Sequence, residues 1–341
     1  MNTRSRMRDE IEQIPAIVDQ IMRDKNHCIE HAAEDLRALS PRLLLTVARG
    51  SSDHAAHFLK YAAELLLGIP VASIGPSIAS VYGGKLAASG AACLAISQSG
   101  RSPDILALAD MLKRNHAKIF ALVNDPSSPL AGLADRSIDV LAGPERSVPA
   151  TKSFVASVVC GLSLLGQSAG DERLIKALRQ LPDQLSRAIN SDWSALSHAM
   201  MSGGPVFVLG RGPGLAIAGE AALKLKETCG LHAEAYSTAE VRHGPVEVVN
   251  SRFTTLCLLV DDQAAKGVTE CAELMGKLGA ASFVAGAASP DSRLNIVPTL
   301  HPITDFISLI VSFYSMAETL ARDLGRNPDE PIALRKITET V

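Results

Sequence analysis

The chain has 341 residues, 47% of them hydrophobic and 20% charged, with a formal net charge of -3. That length suits two domains of roughly 150 residues each and supplies ample apolar material for their cores. The near-neutral balance, with no Lys/Arg run and no aromatic–basic stripe, argues against nucleic acid as a partner.

Cys28, Cys93, Cys160, Cys229, Cys257 and Cys271 are scattered, with no CxxC pair. They read as free, mostly buried thiols of a reducing compartment. No histidine cluster has metal-ligand spacing, so neither a metal nor an organic cofactor is expected. The N-terminus has no apolar signal core, and the longest apolar stretch, Phe154 to Gly166, falls short of the roughly 18 residues a membrane span needs. The expectation is a cytoplasmic protein without a membrane partner.

From Arg8 to about Leu39 the spacing of Ile11, Ile14, Ile17, Val18, Ile21 and Met22 predicts helix, with Pro15 as a point of kink or restart. Short apolar runs then alternate with helix-length segments. Leu43 to Ala48, Val71 to Ile74, Ala92 to Ile96, Ile119 to Val123 and Ile138 to Leu141 predict buried strands. Strands that are apolar throughout, alternating with helices, imply a parallel α/β sheet covered on both faces.

The pattern then repeats. Pro205 to Gly210 matches the first strand, Ala216 to Cys229 its helix, and Thr255 to Val260 the strand at Cys93. Asn295-Ile296-Val297-Pro298 followed by Phe306 to Met316 matches the last strand and its helix. The period, about 160 residues, is one whole domain. The predicted architecture is two copies of one open-sheet domain, joined by charged helices between Asp171 and Asp192.

Ser97-Gln98-Ser99-Gly100-Arg101-Ser102 follows a strand and precedes the helical pattern from Asp104. Ligands of such sheets bind at the carboxyl ends of the strands, where free backbone N–H groups point outward. Ser hydroxyls add donors without crowding a phosphate, and Gly100 permits close backbone approach. Gly50-Ser51-Ser52 is a second hydroxyl turn. Ser102 equally fits a plain helix N-cap with Pro103 at the first helical position. In the second copy the equivalent turn is Asp261-Asp262-Gln263, which would repel phosphate. Gly210-Arg211-Gly212-Pro213-Gly214 fails the dinucleotide spacing, and Pro213 removes a donor N–H.

Glu220, Lys224 and Glu227 are spaced to share one helical face, among Ala221, Ala222, Leu223 and Leu225. An ordinary surface pair is one reading; a buried carboxylate beside a lysine, able to act as a general base, is the other. His243-Gly244-Pro245 is a tight turn carrying an imidazole, structural on its own and an acid–base partner if it lies beside that helix.

These residues together resemble the SIS (sugar isomerase) family, above all the isomerase half of glucosamine-6-phosphate synthase and the stand-alone SIS-type glucosamine-6-phosphate deaminases. The likeness runs from Met7 to Pro15 through the motifs above and His232-Ala233-Glu234-Ala235-Tyr236 to the tail at Asp329 to Lys336. It implies two tandem doubly wound, flavodoxin-like parallel-sheet domains: a helical segment at 1–40, a phosphate-binding domain at 41–185, an acid–base domain at 186–325 and a tail at 326–341 closing the site. By resemblance, Ser97, Gln98, Ser99 and Ser102 hold the phosphate and Ser52 assists. Glu227 shuttles the proton between C1 and C2 beside Lys224. His243 opens the sugar ring in the neighbouring subunit's site, which implies a homodimer, and Lys336 matches the lysine that forms a Schiff base in the synthase.

Two departures mark the sugar end. Arg101 stands where the synthase pattern has an acid, and Ala150, before Thr151-Lys152, where it has a sugar-contacting serine. The sequence also begins without the synthase's glutaminase domain, so no local ammonia source is expected. The resemblance therefore implies conversion of glucosamine 6-phosphate to fructose 6-phosphate and ammonia. The alternatives are a deglycase or deaminase for another phosphorylated amino sugar (a fructosyl-amino-acid 6-phosphate or galactosamine phosphate) and a non-catalytic sugar-phosphate sensor.

Overall fold

The computed structural model describes residues 4–24, 26–286 and 294–334. Two helices open the chain, α1 (Arg6–Asp24) and α2 (Asn26–Leu39). α1 runs unbroken through Pro15, where the sequence suggested a kink. A first sheet follows, with β1 (Leu44–Val47), α3 (Ser51–Leu67), β2 (Val71–Ser73), α4 (Ser77–Ser80), β3 (Ala92–Ser97), α5 (Pro103–Arg114), β4 (Lys118–Val123), α6 (Pro129–Leu133) and β5 (Arg136–Asp139). After α7 (Lys152–Ala169), α8 (Glu172–Ala188) and α9 (Ser194–Met200) comes a second sheet. It contains β6 (Val206–Gly210), α10 (Pro213–Lys224), β7 (Ala233–Ser237), β8 (Thr254–Leu258), α11 (Ala265–Lys277) and β9 (Ala281–Ala285), and α12 (Pro302–Asp323) closes the order.

Both sheets are parallel throughout, with orders β2-β1-β3-β4-β5 and β7-β6-β8-β9. The second order repeats the first four strands of the first, as the duplicated pattern predicted. In each, the connection direction reverses beside the first strand of the copy, between β1 and β3 and between β6 and β8. That reversal opens a crevice at the carboxyl ends of the strands.

The chain packs as two compact units. One contains 16–24, 26–145 and 152–179; the other contains 4–15, 146–151, 180–286 and 294–334. In the first, Leu45, Val47, Cys93, Ala95, Ile119 and Ala121 meet Ile105, Leu108, Ala109 and Leu112 of α5. The alternate strand residues are also buried, because α3 and α7 contact the same strands and each other. Gly161 permits that close helix packing: a Cβ there would lie 2.2 Å from Leu59 Cδ1. In the second unit, Phe207, Leu209 and Cys257 pack against Val268, Cys271, Ala272 and Met275 of α11.

The fifth strand expected at Asn295 to Pro298 is not formed. Only an isolated bridge joins Ala285 to Leu294. The acceptors a strand would use are taken by side chains, Asn295 O by Trp193 Nε1 at 3.1 Å and Val297 O by Ser308 Oγ at 2.6 Å, and Pro298 has no N–H to donate. One described helix, α12, is long and apolar enough to cross a membrane, but 94% of that window is buried inside the fold.

The second unit also anchors its own termini. Asp329 accepts from the N–H groups of Arg6 and Met7 at 2.9 and 2.8 Å, capping α1. The buried Glu318 accepts from Ser5 at 2.7 Å and pairs with Arg8 and Arg322. Glu10 accepts from Ser147 and from the backbone of Arg146.

Candidate active site

In the first unit the crevice between β1 and β3 is lined by two hydroxyl turns. Gly50, in a left-handed conformation (φ 56°), precedes α3 and leaves its N-terminus without a side-chain cap, with Ser51 and Ser52 in the first turn. The second turn leaves β3 at Ser97. Ser97 is buried (7% exposed), and its Oγ accepts from Gly100 N–H at 3.1 Å. Ser99 Oγ accepts from Arg101 N–H at 3.3 Å. Gly100 has φ 61°, and a Cβ there would lie 2.2 Å from Ser128 Oγ. The glycine therefore serves both the turn and the close approach of the next loop.

Ser102 occupies the N-cap position of α5 with Pro103 next, yet its hydroxyl makes no cap bond. The N-cap reading is right about position and wrong about role, and the side chain remains half-buried in the turn. Across the crevice, Arg49 from the end of β1 pairs with Asp104 at the start of α5, at 2.8 Å from Nε and 2.7 Å from Nη2. This bridge was not foreseen in the sequence. Asp104 is 1% exposed and Arg49 is half-exposed, so the charge-assisted bonds tie the two turns together at the rim of the crevice. Arg101 is not a lone cation: it pairs with Asp125, beyond β4, at 2.8 Å. Hydrogen bonds from Ser127, and next from Arg101, hold the Asp125 carboxyl below its ordinary value.

In the second unit α10 carries Glu220 and Lys224, both fully buried. The helix then widens into one π-helical turn, Leu225–Cys229, which presents Glu227. Such turns insert one extra residue and are frequent at functional sites. Thr228 donates to Lys224 O at 2.7 Å, and the N–H groups of Gly230 and Leu231 both close onto Leu225 O. Lys224 Nζ lies 3.5 Å from Glu220 Oε1 and bonds Glu227 Oε2. Tyr314 of α12 donates to Glu220 Oε1 at 2.9 Å. The three charges do share one face, as the spacing predicted, and the surface-pair reading fails on burial. Glu227 is the carboxylate that keeps access, with 20% of its side chain exposed. Tyr314 had no sequence signal, because its partner lies 94 residues away.

His243 ends a short turn, Glu240–His243, after β7 and is exposed. Among the described residues no hydrogen bond joins it to Glu227 or Lys224. Ala150, half-buried, lies in the 146–151 segment of the second unit and offers no polar side-chain atom. Lys336 lies outside the described residues. Among those described, no group of three or more His, Cys, Asp or Glu could hold a metal ion.

The SIS domain profile matches residues 40–165. A glutamine–fructose-6-phosphate aminotransferase (isomerizing) from Symbiobacterium thermophilum is 30% identical over 327 residues, 89% of this chain and 52% of that protein. The chain thus spans about half the length of the curated relatives it matches. A crystal structure from Silicibacter pomeroyi DSS-3, provisionally named a phosphosugar isomerase, is 47% identical with a TM-score of 0.91, covering 96% of this chain and 100% of that one. A glucosamine-6-phosphate deaminase from Thermotoga maritima shares the fold at 21% identity and a TM-score of 0.79, covering 98% of this chain and 100% of that one. The chain belongs to the SIS domain family.

Proposed function

We propose that this chain is a sugar-phosphate isomerase that deaminates glucosamine 6-phosphate to fructose 6-phosphate and ammonia. The observation that carries the reading is the Glu227 carboxylate, held by buried Lys224 on a π-helical turn and still open to solvent. The relatives support it: one is named an isomerizing fructose-6-phosphate aminotransferase, one provisionally a phosphosugar isomerase, and one a glucosamine-6-phosphate deaminase.

The chemistry follows from the parts. The Ser97–Ser102 turn, with Ser52, holds the phosphate and fixes the open-chain sugar. C2–H is acidified by the adjacent C1 aldehyde. Glu227 takes that proton as O1 gains one, giving the enolamine, and returns it to C1 as the C2 nitrogen gives one up, which leaves a C2 imine. Lys224 holds the Glu227 carboxylate before the first transfer and after the second. One water then adds at C2 and ammonia leaves, giving the ketose. His243 opens the ring from the neighbouring subunit, so the working form is a homodimer, and Lys336 is counted among the catalytic residues by its match to the synthase lysine that forms a Schiff base. Localisation is cytoplasmic, and no metal or organic cofactor takes part.

Purified protein with glucosamine 6-phosphate should release ammonia and fructose 6-phosphate one for one. Phosphosugar binding without ammonia release overturns the deaminase. A second reading is favoured by Ala150 and Arg101. The methyl of Ala150 removes a hydroxyl from the sugar end, and the Arg101–Asp125 pair beside the phosphate turn places charge where the synthase pattern differs. A fructosyl-amino-acid 6-phosphate or galactosamine phosphate then becomes the better substrate, and turnover of those compounds alone selects it.

A further inference from the structure

The second sheet has its own crevice at the carboxyl ends of its strands, and the structure places a cavity there. About 440 Å³ in volume, it is lined by Arg211 after β6, Thr238, Ala239, Arg242 and His243 after β7, and Gln263, Ala264 and Gly267 around the start of α11. It is the counterpart, in the second copy, of the crevice that holds the serine turn in the first. The residues differ: two guanidinium groups and an imidazole replace the hydroxyl loop.

We propose that this cavity is a second anion site, which binds the phosphate of a small phosphorylated metabolite independently of the serine turn. Three observations carry it. Arg211 uses Nη1 to bond Ser237 Oγ at 3.0 Å, which holds its planar fork over the strand ends, and Arg242 faces the same cavity. Paired guanidinium forks match the geometry of a phosphate. The helix that starts at Gly212, α10, carries no side-chain cap, so its positive dipole end adds to the field.

The third observation concerns the acidic turn that the sequence suggested would repel an anion. Asp262 is turned to the backbone, accepting from Ala264 N–H at 2.8 Å, and neither it nor Asp261 lines the cavity. The volume exceeds that of a bare phosphate and falls in the range of small-ligand pockets, so the ligand is a phosphate ester with an organic body of sugar size. Its place beside His243 makes it a regulatory or product site next to the proposed shared catalytic centre. The choice of a phosphosugar as ligand and the place beside a shared catalytic centre rest on the proposed function.

The test is stoichiometry by calorimetry on the full chain, with 1,5-anhydroglucitol 6-phosphate as probe. That compound lacks the anomeric hydroxyl and cannot open or react, so turnover plays no part. Two sites per chain are expected. Ser97→Ala with Ser99→Ala should remove one, and Arg211→Gln with Arg242→Gln should weaken the other about ten- to a hundredfold. The milder pair Arg211→Lys with Arg242→Lys should weaken it less, and retention of the serine-turn site in both arginine variants reports their folding. One site per chain in the unmodified protein overturns the proposal, as do two sites that survive the arginine substitutions. If the isomerase reading fails, ammonia is absent while both sites persist.

Discussion

The phenol of Tyr314 and the carboxylate of Glu220 meet at 2.9 Å with both side chains fully buried. The same Glu220 oxygen lies 3.5 Å from Lys224 Nζ, so Tyr314 fixes one end of a chain of charges that ends at Glu227. Tyr314→Phe should cost about 1–3 kcal/mol in stability, the usual range for loss of a hydrogen bond to a charged group. It should also lower kcat more than it raises KM, because Glu220 then draws Lys224 away from Glu227. Urea unfolding and steady-state kinetics read both effects. An unchanged kcat with the stability loss alone would confine Tyr314 to a structural role.

At the next link, Glu227→Gln keeps the shape and the contact with Lys224 but removes the base. Proton transfer by a positioned group contributes about 10²–10⁴-fold, so kcat should fall by that order with KM nearly unchanged. Lys224→Met has a different signature. It removes the cation that pairs with both Glu220 and Glu227, and loss of one partner of a buried ion pair costs about 3–5 kcal/mol. Wild-type turnover in Glu227→Gln would falsify the base assignment.

How much of this was legible in the sequence depended on whether the signal was local. Most strands were readable because their apolar runs are continuous, and the repeat tied one copy to the other, but β9, a short run interrupted by Ser282, was not expected. The shared face of Glu220, Lys224 and Glu227 was readable from spacing, although the π-helical turn that presents Glu227 was not, since it changes no residue type. Asn295 to Pro298 has strand composition, and its failure to pair depends on Trp193 and Ser308, each remote in the chain. The Arg49–Asp104 bridge joins residues 55 apart, and neither advertises the other. Gln263 and Arg242 looked unrelated until the second sheet brought their loops to one cavity.

Gly100 is where local legibility can be tested. It has φ 61°, and a Cβ would meet Ser128 Oγ at 2.2 Å. Gly100→Ala should therefore lose stability on two counts, the left-handed backbone at about 1–2 kcal/mol and the clash. Adding Ser128→Gly removes the clash and not the backbone strain. The double variant should recover part of the stability, with phosphosugar affinity still below wild type because the turn has shifted. Full recovery of both would show that the glycine serves only the packing against Ser128.

Asp35 on α2 gives a prediction in pH. It accepts from Arg136 Nε at 2.6 Å and from Lys118 Nζ at 3.0 Å. Those bonds, Arg136 first and Lys118 next, pull its carboxyl from 3.8 down to about 2. The folded protein therefore binds fewer protons than the unfolded chain between about pH 4 and about pH 2. The contribution is complete above the unfolded value and is lost as the pH falls through that window. The pair lies at the surface, where solvent and salt screen it, so the expected effect is a change of slope and not a collapse. The urea midpoint of Asp35→Asn should sit slightly below wild type at neutral pH, and the gap should close as the pH approaches about 2. Added salt should narrow the gap at neutral pH. A gap that persists at the acid end would mean that packing around residue 35, and not its charge, links α2 to the first sheet.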